Sequence, residues 1–115
     1  MMLNYFFKKK SRLSNSINFQ YVFSNPCTKN TLEISILGRF NLLKYPRLGL
    51  SIPRKNIKNS HNRNLIKRLV RETFRLLQHK LIFMDFIVIA KKNILNLSNK
   101  NIINILKSLW AHYYR

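Results

Sequence analysis

The sequence predicts an α+β domain, an α/β sandwich in which three helices pack on a mixed, mainly antiparallel four-stranded sheet in the order α-β-β-β-α-β-α. Three observations predict it. Residues 47–75 open with a short strand-like run, Leu48-Gly49-Leu50-Ser51-Ile52, and pass after Pro53 into a long helix with apolar residues at helical spacing. Residues 86–90 are apolar at every position, which suits a strand covered on both faces and therefore central in its sheet. The strand, helix, strand sequence across 48–90 implies a parallel pair, so the sheet is mixed.

The elements follow in order. Residues 1–11 read as a loose basic arm in front of a single domain spanning 1–115. Arg12-Leu13 follows, then a short helix to about Phe23, capped by Ser14 or Asn15. Leu13, Ile17 and Tyr21 share one side of it, and Phe19 and Phe23 another. Asn25-Pro26 ends the helix, and a short strand around 27–30 precedes a clear one. There Leu32, Ile34 and Ile36 alternate with Glu33 and Ser35, and Gly38 weakens the end. Residues 41–46 form a turn or hairpin loop. The next strand puts Leu48, Leu50 and Ile52 on one face and Arg47, Gly49 and Ser51 on the other. The small residues leave room for a ligand against the sheet, and the competing reading of Gly49 is strand packing or a bulge. The long helix starts at Ser60 or at His61-Asn62 and runs to about Lys80. Leu97-Ser98 places an apolar residue before a cap. The last helix carries Ile102, Ile103, Ile105, Leu106, Leu109, Trp110 and Tyr113 on one side, with Trp110 read as core.

Charge narrows the function. Lys and Arg number 22 against 3 Asp and Glu, a net charge of +19 on 115 residues with 46% hydrophobic content. A folding chain this basic implies a polyanionic partner, with nucleic acid ahead of a membrane surface. The long helix concentrates the charge. Ile66, Leu69, Val70, Thr73, Phe74 and Leu77 fall in one sector, and Asn64, Lys67, Arg68, Arg71 and Arg75 fall opposite, with only Glu72 against them. Ordinary surface helices mix both signs.

The acids Glu33, Glu72 and Asp85 are not spaced for two-metal or acid/base hydrolysis, and His61, His79 and His112 lie far apart. Two glycines in all exclude a glycine-rich phosphate loop. No catalytic residue, metal site or bound cofactor is expected in the protein itself. Cys27, the single cysteine, makes no internal disulfide and reads as a spare thiol in a reducing compartment. The N-terminal residues have the wrong order of charge and apolar character for a secretory signal, so a cytoplasmic location is expected.

Residues 47–75 also carry a family resemblance. Arg47-Leu48-Gly49-Leu50-Ser51, Arg54-Lys55, Arg63-Asn64, Ile66-Lys67-Arg68 and Arg71-Glu72 resemble the protein subunit of bacterial ribonuclease P, a similarity extending from about Arg12 to the C-terminus. That subunit assists a catalytic RNA in endonucleolytic removal of 5′ leaders from precursor tRNA. The chain departs from the family's usual Arg-Asn-Arg at its third position, which is Leu65. The resemblance implies a left-handed βαβ crossover. It implies catalytic-RNA contacts at Arg54, Lys55, Arg63, Asn64, Lys67, Arg68, Arg71 and Arg75. It implies leader contacts at Arg12, Phe19, Phe23, Arg47 and Ser51, although Phe19 and Phe23 also fit a purely core role. The hydrolysis would belong to the RNA with Mg²⁺, and the partners would be the catalytic RNA and precursor tRNA, without DNA or membrane. A ribosomal or other structural RNA-binding protein is the alternative. A helix-based DNA-binding protein is a third, less consistent with a strand directly before the basic helix.

Overall fold

The computed structural model describes residues 9–115. After a 3-10 turn at Lys9–Ser11 come α1 (Ser16–Ser24), β1 (Cys27–Asn30), β2 (Ile34–Phe40), β3 (Arg47–Ser51), α2 (Ser60–Leu77), β4 (Met84–Ala90) and α3 (Asn99–Ala111). Two more 3-10 turns, Gln78–Lys80 and Lys92–Asn96, follow α2 and β4. The basic arm expected over 1–11 lies outside the described residues up to position 8. Its last three residues form the first turn, with Ser11 buried.

The strands make one sheet in the order β1-β2-β4-β3. β1 pairs antiparallel with β2, β2 antiparallel with β4, and β3 parallel with β4. The continuous apolar run at 86–90 therefore lies in an interior strand with neighbours on both sides. The hairpin alternative for residues 41–46 fails, because β4 lies between β2 and β3. The segment is a surface turn in which Leu42 takes a positive φ of 62° and is fully exposed. Asn41 shapes it by accepting from the Leu43 N–H at 2.8 Å.

The sheet is covered unequally. On one face, Ile34, Ile36, Leu48, Ile52, Phe86 and Val88 meet the apolar stripes of α2 and α3. Trp110 sits at the centre, fully buried, with its ring edge-on to Phe86 and its Nε1 donating to Thr73 Oγ1 at 3.3 Å. Tyr113 closes the same core. Its hydroxyl lies 2.6 Å from the Cys27 carbonyl and 2.9 Å from the Ile36 carbonyl, and burial pushes its pKa up. Among the described residues the other face is covered by α1 and the segment before it, through a small cluster of Leu13, Val22, Leu37 and Ile87 with Phe19 and Ile89 beside it.

The helices begin where short polar side chains can satisfy unpaired N–H groups. Asn15 caps α1, Asn59 caps α2 through the His61 and Asn62 N–H groups, and Ser98 caps α3. The cap of α1 is thus Asn15, one of the two residues expected. Two expectations change. Leu32 precedes β2 and is exposed, because the alternation that predicted it starts only at Ile34. On the side of α1 shared by Ile17 and Tyr21, Ile17 is exposed and Tyr21 is partly covered at the end of β2, while Val22 and Phe19 dock on the sheet. With a single sheet face to cover, α1 buries the sector around Val22, which a four-residue spacing search does not pick out.

Candidate nucleic-acid interface

The outer side of α2 forms a cationic groove of about 390 Å³, lined by Arg12, Asn64, Lys67, Arg68, Arg71, Glu72 and Arg75. Its origin is the helical period. Ile66, Leu69, Val70, Thr73 and Phe74 are buried against the sheet and α3, so the residues between them project outward. Four cations and one acid from α2 share this groove, and Arg12 adds a cation from the segment before α1.

A second cleft of about 340 Å³ adjoins it at the β3 edge of the sheet, lined by residues 12–14, Phe19, residues 48–50, Lys67 and Arg71. Three elements build it. Arg12 forms a parallel bridge with Leu48, and the Leu13 N–H donates to the Leu48 carbonyl at 2.7 Å, so this segment runs along the free edge of β3. α1 brings the half-buried Phe19 ring over β3. A Cβ on Gly49 would lie 2.6 Å from Phe19 Cζ, so glycine is what permits that approach. The space expected beside Gly49 is therefore filled by the Phe19 ring, and the open cleft begins where the ring ends. α2 supplies the cations from the other side.

The residues expected at the interface are placed as follows. Asn64, Lys67, Arg68, Arg71 and Arg75 line the groove together. Arg54 and Lys55 are exposed on the connector between β3 and α2, held by the Asn56 and Ile57 N–H groups donating to the Pro53 carbonyl. Arg63 is different: its Nη1 donates to the Ile52 carbonyl and, at 3.3 Å, to Ile57, so it fastens that connector to the start of α2. Arg12 and Phe19 line the cleft. Phe23 is 45% exposed one turn along α1, its ring centroid 6.2 Å from that of Phe19. Arg47 and Ser51 lie at the two ends of β3, outside the cleft lining.

Arg47 is committed to the fold. Its Nε and Nη2 donate to Asp85 Oδ1 and Oδ2, both at 2.7 Å, and Asn41 Nδ2 adds a bond to Oδ1 at 3.0 Å. Donating these hydrogen bonds to the Asp85 carboxylate pushes the Arg47 pKa up. Asp85 thus has a structural role that its position beside a buried strand did not reveal. Leu65 is absent from the groove lining; it packs against the main core and borders, with Ile94, Leu95, Leu97 and Ile102, a small cavity of about 70 Å³. Sequence reasoning also missed that Lys67 and Arg71 serve both cavities. A helical wheel separates apolar from charged sides, but it does not show which charges overhang the sheet edge.

Among the described residues no group of three or more His, Cys, Asp or Glu could hold a metal ion. No helix among them is long and apolar enough to cross a membrane. Cys27 is a free, exposed thiol.

Known proteins resemble this chain over nearly its whole length. The family model described as Ribonuclease P matches residues 7–114. The ribonuclease P protein component of Buchnera aphidicola subsp. Schizaphis graminum is 72% identical over 114 residues, covering 99% of this chain and 100% of that protein. That of Escherichia coli O157:H7 is 45% identical over 114 residues, covering 99% and 96%. Among solved structures, the Staphylococcus aureus RNase P protein superposes with a TM-score of 0.85 at 25% identity, covering 91% of this chain and 98% of that one. The Thermotoga maritima protein gives 0.78 at 27% identity, covering 90% and 98%.

Proposed function

The chain belongs to the ribonuclease P protein family, and from that premise we propose that its β3-edge cleft holds the single-stranded 5′ leader of precursor tRNA while the outer side of α2 holds the catalytic RNA. It is the protein subunit of ribonuclease P, acting in tRNA processing as part of an endoribonuclease holoenzyme. The observation that carries the division of sites is the cleft itself: a half-buried aromatic ring and the cations Arg12, Lys67 and Arg71 surround one channel beside a sheet edge. Aromatic faces accept any base, and cations track the backbone, so such a channel suits a leader of variable sequence. The groove on α2 offers side chains suited to phosphate and shape, with no aromatic ring in its lining.

In this reading the single domain brings its two RNA partners together at Lys67 and Arg71, which border both cavities. Substrate with a leader gains contacts that the mature product lacks. The protein contributes neutralisation, positioning and affinity. In this reading the hydrolysis, with its Mg²⁺, belongs to the catalytic RNA. A cytoplasmic site of action goes with this reading. The alternative of a ribosomal or other structural RNA-binding protein gives no account of an aromatic ring set beside the cationic cleft.

Replacing Phe19 and Phe23 together with Leu retains apolar volume and removes flat π surface. Holoenzyme affinity for precursor tRNA is expected to fall about 5- to 150-fold. Affinity for mature tRNA and assembly with the catalytic RNA are expected to hold. Equal losses for both tRNAs, together with a lower melting temperature, would assign the pair to the core and defeat the leader reading.

A further inference from the structure

On the flank of α1 away from the cleft, Tyr21 and Arg39 form a stacked pair. The Arg39 guanidinium lies 3.7 Å from the Tyr21 ring centroid. It is held there through one nitrogen: Nη1 donates to the Tyr21 carbonyl at 2.7 Å and to Ser24 Oγ at 2.8 Å. The Ser24 hydroxyl in turn donates to the Tyr21 carbonyl at 2.8 Å, and the Tyr21 hydroxyl donates to the Phe40 carbonyl at 3.2 Å. Both side chains of the stack are thereby fixed in orientation, yet Tyr21 remains 42% exposed. Tyr21 is two residues, about 200°, from both Phe19 and Phe23 on the helix. It reaches β2, whereas Phe19 reaches β3 across the intervening β4. The pair is therefore separate from the leader cleft.

Part of the role of this pair is structural, because Arg39 donates to the Tyr21 carbonyl and the Ser24 hydroxyl in the last turn of α1. These bonds use only one nitrogen. The Nε and Nη2 groups and the outer face of the guanidinium have no partner among the described residues. The nearest acid across the sheet, Asp85 opposite Arg39 in the β2–β4 register, is taken by Arg47 and Asn41. What remains is a preoriented flat surface, aromatic and cationic at once, with hydrogen-bond donors at its rim. An RNA nucleotide matches it in both respects: its base has a π face for the stack and its phosphate accepts from the rim. An acidic peptide would satisfy the donors without using the flat face. On a chain of net charge +19, the polyanion is also favoured at long range.

We propose that Tyr21 and Arg39 form a second contact for an unpaired RNA nucleotide, on the opposite flank of α1 from the leader cleft. The proposal rests on RNA being the partner and not on the Phe19–Phe23 assignment. Two sources share the required chemistry, leader nucleotides beyond those in the cleft and an unpaired loop of the catalytic RNA.

A Tyr21→Trp variant supplies a fluorescent stacking surface, and Trp110, fully buried, provides a constant background. Titration with a short single-stranded pyrimidine oligonucleotide should quench the new emission, and a duplex of equal phosphate count should not. In the holoenzyme, Tyr21→Leu should weaken RNA binding about fivefold or more with an unchanged melting temperature. A loss confined to precursors with long leaders identifies the leader as the source, and a loss at assembly with the catalytic RNA identifies a loop of that RNA. Equal quenching by both oligonucleotides, or unchanged affinity in both holoenzyme measurements, overturns the proposal. The Phe19→Leu, Phe23→Leu variant run in parallel keeps the two assignments apart, since either can fail while the other stands.

Discussion

The two faces of the sheet use aromatic residues in opposite ways. Under α2 and α3, Phe74, Phe86, Trp110 and Tyr113 are fully or almost fully buried and meet ring to ring at centroid distances of 5.0 to 5.6 Å. Under α1, Phe19 is half-buried, and Phe23 and Tyr21 are exposed. Among the described residues the first face buries twenty core residues and the second four, so the thick side is where most folding free energy resides. The thin side can expose large rings because stability does not depend on hiding them. Binding surfaces are generally drawn from such lightly packed regions. The difference teaches that an aromatic residue in this chain is assigned by the layer above it rather than by its type.

The strongest way to break this comparison is to remove one ring from the thick side. Trp110→Ala deletes a fully buried indole and its bond to Thr73 and should cost about 3–5 kcal/mol of stability. Phe23→Leu on the thin side should cost less than about 1 kcal/mol, as suits an exposed volume-conserving change. Denaturant melts of both proteins check this, and similar losses would remove the distinction between the faces.

A smaller effect is expected where the thin side is reinforced by charge. Arg47→Ala leaves the buried Asp85 carboxylate with Asn41 alone and should destabilise the domain by about 3 kcal/mol. Removing the acid as well, in Arg47→Ala with Asp85→Ala, should recover part of that loss, because no buried charge is left unpaired. If Arg47 were instead a leader contact and nothing more, the single variant would melt normally and bind precursor tRNA less tightly.

The smallest effect, and the one that sharpens the comparison most, concerns Gly49. Gly49→Ala forces its methyl against the Phe19 ring and should cost about 1–3 kcal/mol. Adding Phe19→Leu should relieve most of that strain, since the Cζ and Cε1 contacts at 2.6 and 2.8 Å then vanish. Precursor tRNA affinity should nevertheless stay low in the double variant, because the ring is gone. A double variant that binds normally would detach Phe19 from leader binding.

Much of this molecule was legible in its residues. The period of the 60–77 helix separated core from cation, and burial of Ile66, Leu69, Val70, Thr73 and Phe74 follows that reading. The all-apolar run at 86–90 marked the interior strand, and Leu97-Ser98 and Asn15 marked helix starts. These features are local: a side chain's periodicity and capping chemistry depend on neighbours within a few residues. Net charge likewise points to a polyanionic partner without reference to the fold. Tertiary structure decided the remainder. Only the placement of β4 between β2 and β3 brought Asp85 to Arg47, 38 positions apart, and gave Arg47 a contact within the fold. Only the covering of the sheet by α1 determined that Gly49 makes room for Phe19 and that Tyr21 meets Arg39. Only the path of α2 past the β3 edge let Lys67 and Arg71 border two cavities at once. Each of these depends on which surfaces meet across the sheet. That outcome is set by global packing, to which no short window of sequence has access.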